Sequence, residues 1–363
     1  MIRVPQNIAE LVTYQPGKRA DDITDNRQEK IAKLSSNENT LGSSPNAIAS
    51  MQKVIGETNW YPDPSCYDLK AKIANKYNIT IENVIVGNGS EGILTNVCKA
   101  FFEPGDELLT ANNTFVTVYI MAEANNIPLV KTPMKPGYQY DLDGILSAIS
   151  SKTKVIYLAN PNNPTGTMFN ESAFTHFMSQ VSPNILVVMD EAYHEFASDL
   201  STDYPKMTFK DFGNIITLRT FSKAYGLAGM RIGYGLADPF VIDTLSKVKL
   251  TFEPSVLAQA AGSGAIEDEE FLSKTIKNNK IGLEYFSNAF AEIGLRYFES
   301  FANFIMIEFE NEAKVTEVDQ SLLQRGIIVR PLKFFGLPNC MRITVGQPWE
   351  NVMCVKALKD ILN

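Results

Sequence analysis

The sequence predicts an α/β fold: a large domain built on a mainly parallel sheet of seven strands, with a smaller α+β domain attached. Three observations carry this reading. A chain of 363 residues is too long for one ordinary core. Over its first two thirds, short apolar runs alternate with stretches of helical spacing, and most runs end at Gly, Pro, Asn or Asp. Near residue 250 that alternation breaks, and a long helical stretch then precedes a second set of strands.

Taken in order, residues 1 to about 35 are polar and mixed, and read as an extended arm followed by a short strand at 31–34. Residues 68–77 read as a helix because Leu69, Ile73 and Tyr77 recur at helical spacing. The apolar runs at 84–86, 107–110, 129–132, 155–159, 185–189, 215–218 and 232–236 are the expected strands of the large sheet. Beyond the break, 271–293 reads as a long helix, 305–309, 327–330 and 341–345 as strands, and 352–362 as a closing helix. The expected division assigns 1–40 to the arm and part of the small domain, 41–255 to the large domain, and 256–363 to the small one. There is no internal repeat and no low-complexity tract.

With 45% hydrophobic and 20% charged residues, the composition suits a soluble globular protein and excludes a disordered one. The net charge of -8 comes without any basic stripe, so nucleic acid is not an expected partner. The N-terminus lacks the apolar stretch of a signal peptide, and no apolar run is long enough to cross a bilayer. Cys66, Cys98, Cys340 and Cys354 are scattered, as reduced thiols of a cytoplasmic protein would be. His176 and His194 form no cluster of metal-ligand spacing, so no metal site is expected. Chemistry is left to Lys, Asp, Tyr and Arg acting with a bound cofactor.

The most informative segment is TFSKAYGLAGMRIGYG at 220–235. A strand ends, a hydroxyl-rich turn offers Lys223, and a glycine-rich stretch leads to Arg231. An aldehyde cofactor with a phosphate tail needs these parts: an amine to condense with it, a hydroxyl such as that of Ser222, and a guanidinium fork. Glycines let the backbone come close. A lone lysine after a strand is usually a surface residue; the register of Ser222, the glycines and Arg231 around Lys223 reverses that.

The run VVMDEAY at 187–193 is a buried strand ending in Asp190, with Tyr193 just beyond. A pyridine ring that accepts electrons needs its nitrogen kept protonated, and a buried aspartate does this. Tyr193 can hydrogen-bond a ring 3-hydroxyl. The competing reading is that Asp190 caps the next helix. Glu191 is assigned to solvent or to a structural partner. In NPNNPTG at 160–166, the Asn163 amide can reach the same hydroxyl from the other side, and two close Asn-Pro bonds raise the chance that one is cis. In VGNGSE at 86–91 a strand enters a helix through glycines, and exposed N–H groups there suit a phosphate. Phe115, in TFVTVY, either stacks on the pyridine face or belongs to the core.

Together these segments resemble the fold-type I enzymes dependent on pyridoxal 5′-phosphate (PLP), and TFSKAYGLAGMRIGYG is similar to the histidinol-phosphate aminotransferase family. The likeness spans nearly the whole chain in the right order. It implies PLP as cofactor, Lys223 bonded covalently to it, and Ser222 and Arg231 on its phosphate. It adds phosphate contacts from Gly89, Ser90 and Glu91, mostly through backbone, and a cofactor contact from Asn163. Tyr61, in Tyr61-Pro62-Asp63, matches a tyrosine that reaches the phosphate of the partner subunit, which implies a homodimer with shared active sites. Tyr14 matches an arm tyrosine that reaches the partner's substrate, while Asn37 and Glu38 fall near the substrate.

Arg330 and Arg342 sit at strand positions in the small domain. A transaminase that handles glutamate must grip two separated anions, and two arginines answer that need. One would hold the α-carboxylate and the other a distal carboxylate or a substrate phosphate; the bland alternative is that both face solvent. Two departures stand out. Many relatives carry an asparagine-containing FNV stretch where this chain has Phe252-Glu253-Pro254-Ser255, and a Glu253 charge lining the pocket would repel a phosphorylated donor. The stretch ANNTF also lacks the proline usual before Phe115. The expected reaction is L-histidinol phosphate with 2-oxoglutarate to imidazole acetol phosphate and L-glutamate, in histidine biosynthesis, with Lys223 as general base. An aromatic amino-acid aminotransferase is the alternative, and a phosphothreonine decarboxylase a more distant one. A non-catalytic binding protein is opposed by the retention of Lys223, Asp190 and Arg231.

Overall fold

A computed structural model describes residues 2–13, 17–18, 30–206 and 208–362. Strand β1 (Ala32–Lys33) pairs in parallel with Ile327–Ile328 from the far end of the chain. The large sheet follows: β2 (Val84–Gly87), β3 (Glu107–Ala111), β4 (Leu129–Thr132), β5 (Thr153–Ala159), β6 (Leu186–Asp190), β7 (Ile215–Thr220) and β8 (Gly233–Ala237). Their order is β2-β8-β7-β6-β5-β3-β4, and only β8 runs antiparallel to its neighbours.

Strands β5, β6 and β7 are covered on both faces, which is why they read as continuous apolar runs. Alternate side chains feed two separate cores. Ile156, Leu158, Val187 and Met189 enter one, and Val155, Tyr157, Leu186 and Val188 the other. Parallel β5, β6 and β7 all end on one edge, so the loops after them are gathered there. That is the crevice where ligands bind in open α/β sheets.

The second sheet holds β9 (Arg296–Phe298), β10 (Phe304–Glu308), β12 (Arg330–Pro331) and β13 (Cys340–Thr344), while β11 (Ile327–Ile328) pairs with β1. The expected single strand at 327–330 is thus two short strands in two sheets, parted at Val329. Pro331 has no N–H to donate, and β12 lies at the sheet edge, where proline is tolerated. The long helix is Glu269–Glu292; it starts earlier than expected because the Asp268 side chain accepts from Phe271 N–H.

Helix Val256–Ala265 falls on the small-domain side of the expected boundary at 255/256, but Ala258, Ala261 and Ala265 pack into the large-sheet core. The helix lies against Pro45–Val54 so closely that a Cβ on Gly264 would come within 2.3 Å of the Asn46 carbonyl oxygen.

Candidate functional site

A cavity of about 340 Å³ opens at the carboxyl ends of β5, β6 and β7, beneath β12, β13 and the segment 35–37. It gathers Asn37, Ser90, Glu91, Phe115, Asn163, Asp190, Tyr193, Ser222, Lys223, Arg231, Arg330 and Arg342. These come from distant parts of the chain: the parallel strands deliver the loops that follow them to one edge, and β12, β13 and the segment after β1 bring Arg330, Arg342 and Asn37 to it.

Asp190 ends β6. Its Oδ2 accepts from Tyr157 Oη at 2.8 Å, and its Oδ1 from Ala192 N–H at 3.1 Å. Both partners are neutral. Burial raises its pKa to about 6 against the lowering effect of those two bonds. It does not cap the following helix, His194–Leu200, whose N-terminus has no side-chain cap. Tyr193 is buried; its Oη accepts from Asn37 Nδ2 at 2.9 Å, and its ring meets Phe304 edge-on at 5.3 Å. Asn37 is itself fixed by Thr344 Oγ1, which accepts from its backbone N–H at 3.0 Å and donates to its Oδ1 at 3.1 Å.

Lys223 lies in the turn after β7. Its Nζ donates to the Ser36 carbonyl at 3.3 Å and sits 6.0 Å from the centre of the Tyr193 ring. Enclosure lowers its pKa to about 8, and among nearby charges Arg342 contributes most in the same direction. A lysine so placed reaches its neutral, nucleophilic form close to neutral pH.

Arg342 is buried. One Nη donates to Asn163 Oδ1 and the other to the Ser35 carbonyl at 2.9 Å. Arg330 is also buried, and both guanidinium groups lie 5.8 Å from the centre of the Phe335 ring, so neither is the solvent-facing strand arginine of the bland reading. Asn163 comes from a loop locked by its neighbour: Asn162 accepts from Thr114 Oγ1 at 2.7 Å and donates to Thr165 Oγ1 at 2.9 Å. Both Asn160–Pro161 and Asn163–Pro164 are cis, where one was the expectation.

At the other end, Arg231 adopts a left-handed backbone, φ 51°, and its Nη2 pairs with Glu91 Oε2 at 2.9 Å. The Glu91 side chain is therefore engaged by the guanidinium, and only its backbone is left for the phosphate contact the resemblance implies. Gly89 is required: its φ is +70°, and a Cβ there would lie 2.9 Å from Arg231 Nη2. Phe115 lines the cavity half-buried.

Tyr61 is outside this cavity, 79% exposed and stacked on Phe252 at 4.2 Å. Tyr14 lies outside the described residues. Glu253 does not line the cleft; its Oε2 accepts from Asn88 Nδ2 at 2.7 Å, and it lines an adjoining hollow with Tyr61 that shares Glu91 and Arg231 with the cleft. The condition for repelling a phosphorylated donor is not met. Glu191 has a structural partner, accepting from Arg219 Nε at 2.9 Å and Nη2 at 2.7 Å. Nothing in the sequence spacing marks Arg219, or Tyr157, as part of this region.

The donor set fits PLP: an amine of lowered pKa, a buried acid whose hydrogen-bond partners are neutral, a phenol, and a guanidinium beside glycine-freed helix amides. Among the described residues, no group of three or more His, Cys, Asp or Glu side chains could hold a metal ion, and no helix is long and apolar enough to cross a membrane.

Comparison with known proteins bears on the same residues. The family model for aminotransferase class I and II matches residues 29–358. A histidinol-phosphate aminotransferase of Akkermansia muciniphila is 39% identical over 360 residues, covering 98% of each chain. One from Moorella thermoacetica is 37% identical, covering 98% of this chain and 92% of its own. Among solved structures, a Sinorhizobium meliloti histidinol-phosphate aminotransferase in complex with pyridoxal-5′-phosphate superposes with a TM-score of 0.88 at 27% identity, covering 100% of this chain and 98% of its own.

Proposed function

We propose that this chain, which belongs to the class I and II aminotransferases, moves the amino group of L-histidinol phosphate to 2-oxoglutarate and yields imidazole acetol phosphate and L-glutamate. The enzyme is a PLP-dependent aminotransferase of fold-type I. One observation carries the assignment of roles: Lys223 and Asp190 line a single cavity beneath two buried arginines. For the donor, full-length relatives at 37–39% identity share the histidinol-phosphate name, and Glu253 does not line the cleft, its carboxylate being bonded to Asn88.

When bound, PLP supplies an electron sink for a carbanion next to the reacting nitrogen. Asp190 would face its ring nitrogen and hold the proton there. Tyr193 and Asn163 would hold its 3-hydroxyl, and Phe115 would cover the ring. Ser222, Arg231 and the amides of Gly89, Ser90 and Glu91 would hold its phosphate. Lys223 Nζ would anchor the cofactor, and as a neutral amine it would take the proton from the donor's amine-bearing carbon.

Arg342 is the cation that acts most strongly on Lys223. It would hold the anion beside the reacting carbon, a phosphate ester in the donor and the α-carboxylate in 2-oxoglutarate. Arg330, across the same Phe335 ring, would take the distal carboxylate. Asn37 would orient the substrate side of the cleft through Tyr193.

The assembly read here is a cytoplasmic homodimer. Tyr61, turned out from its own cleft, would reach the partner's phosphate, and Tyr14 the partner's substrate. Its four described cysteines are free. The large unit would run from 41 to about 266, with the arm and the remainder forming the small one.

A panel of amino donors with 2-oxoglutarate tests the reading. L-Histidinol phosphate should exceed phenylalanine and tyrosine in kcat/KM by at least about 100-fold, a discrimination that a buried polar grip can supply. Aromatic donors matching or exceeding it would replace the substrate assignment and leave the enzyme class standing.

A further inference from the structure

Helix Gly89–Ala100 begins without a side-chain cap. Asn88 stands at its N-terminus, a residue type strongly preferred there because its side-chain oxygen accepts from first-turn N–H groups. The Asn88 side chain is within reach of that turn: a Cβ built on Gly92 would lie 3.3 Å from Asn88 Cβ. It makes no such bond. Its amide donates to Glu253 Oε2 at 2.7 Å. Glu253 is only 9% exposed, so the acceptor is held in place by its surroundings. Ser90 and Glu91, whose amides the cap would take, line the cleft together with Arg231.

The geometry points to Glu253 as a positioning residue: by holding the Asn88 amide, it keeps Asn88 from capping the helix and leaves the first-turn N–H groups open to the cofactor phosphate. This rests on PLP as the cofactor. Charge alone gives the opposite sign, because a carboxylate near a phosphate cradle weakens anion binding and its removal should tighten it. The two accounts therefore part on the direction of one measured change.

The test is titration of the apoenzyme with PLP and, separately, with pyridoxal, which lacks the phosphate, both followed by absorbance. Glu253→Ala should raise the Kd for PLP about fivefold to tenfold, the effect of one capping bond turned against the ligand, with the Kd for pyridoxal unmoved. Glu253→Gln keeps the acceptor and should stay within about twofold of wild type. Asn88→Ala cannot cap the helix and should leave the Kd unchanged, and the pair Glu253→Ala with Asn88→Ala should return to it. Asn88→Ser, able to cap but too short to reach Glu253, should weaken PLP as Glu253→Ala does. That arm serves if Glu253→Ala does not fold. Tighter or unchanged PLP binding in Glu253→Ala overturns the proposal, as does a double variant no better than Glu253→Ala. A wild-type protein that binds PLP no better than pyridoxal would instead strike at the cofactor assignment itself.

Discussion

Asp190 and Glu191 are consecutive buried carboxylates, and they live under opposite regimes. One step along a strand turns a side chain to the other face. Asp190 enters the cleft and is met by a phenol and a backbone N–H. Glu191 faces away and is gripped through two guanidinium nitrogens of Arg219, with both side chains 1% exposed. The Tyr77 ring covers that guanidinium at 4.7 Å. Burial raises the pKa of both acids, but only Glu191 has a full positive charge bonded against it. The acid facing away is completed by the protein; the one in the cleft has only neutral hydrogen-bond partners and would be left for a cationic ligand to complete.

The largest expected effect is on the cleft side. Lys223→Ala should lower kcat/KM by about 10⁴-fold, since the proposed anchor and base would both be lost; steady-state assays on folded variant check it. On the closed side, Arg219→Met strands Glu191 in the core and should cost about 3–5 kcal/mol in denaturant unfolding. Arg219→Met combined with Glu191→Leu should recover most of that. A single variant as stable as wild type would erase the contrast between the two acids.

Asp190→Asn should go the other way for stability while abolishing turnover. A rise in pKa from 3.8 to about 6 means that the folded protein binds the proton more tightly than the unfolded chain. Cofactor-free wild type should therefore lose stability as pH climbs through that window, by roughly 3 kcal/mol in all. The asparagine variant should not, and at about pH 8 it should unfold later than wild-type apoprotein. Smallest is the division between the arginines. Arg342→Lys should raise KM for both substrates about tenfold, and Arg330→Lys that of 2-oxoglutarate alone, because lysine cannot replace a bidentate fork.

The strands of the large sheet are legible because two-sided burial writes itself as an unbroken apolar run, as in Val187, Val188 and Met189. Their ends move by a residue or two, where polar strand-end residues such as Asp190 and Thr220 join the ladder. The run at 327–330 hides its division because an isoleucine is apolar whichever sheet it joins. Helix Val256–Ala265, just past the expected 255/256 boundary, packs on the large-sheet core through small residues that a hydrophobic pattern shows weakly, and Gly264 is chosen for what it lacks. Lys223, Ser222 and Arg231 stand out because one chemistry calls for them within ten residues. Tyr157 and Arg219 do not, since each reads as one more strand residue until register sets Ala159 beside Asp190 and Leu218 beside the same residue. Asn88 and Glu253 meet only through the fold, 165 residues apart.

The most direct test of the central claim is chemical trapping of the holoenzyme with borohydride, followed by digestion and peptide mass analysis. A phosphopyridoxyl mass should appear on the peptide carrying Lys223 and nowhere else. A label on another lysine, or none in protein supplied with PLP, would contradict it.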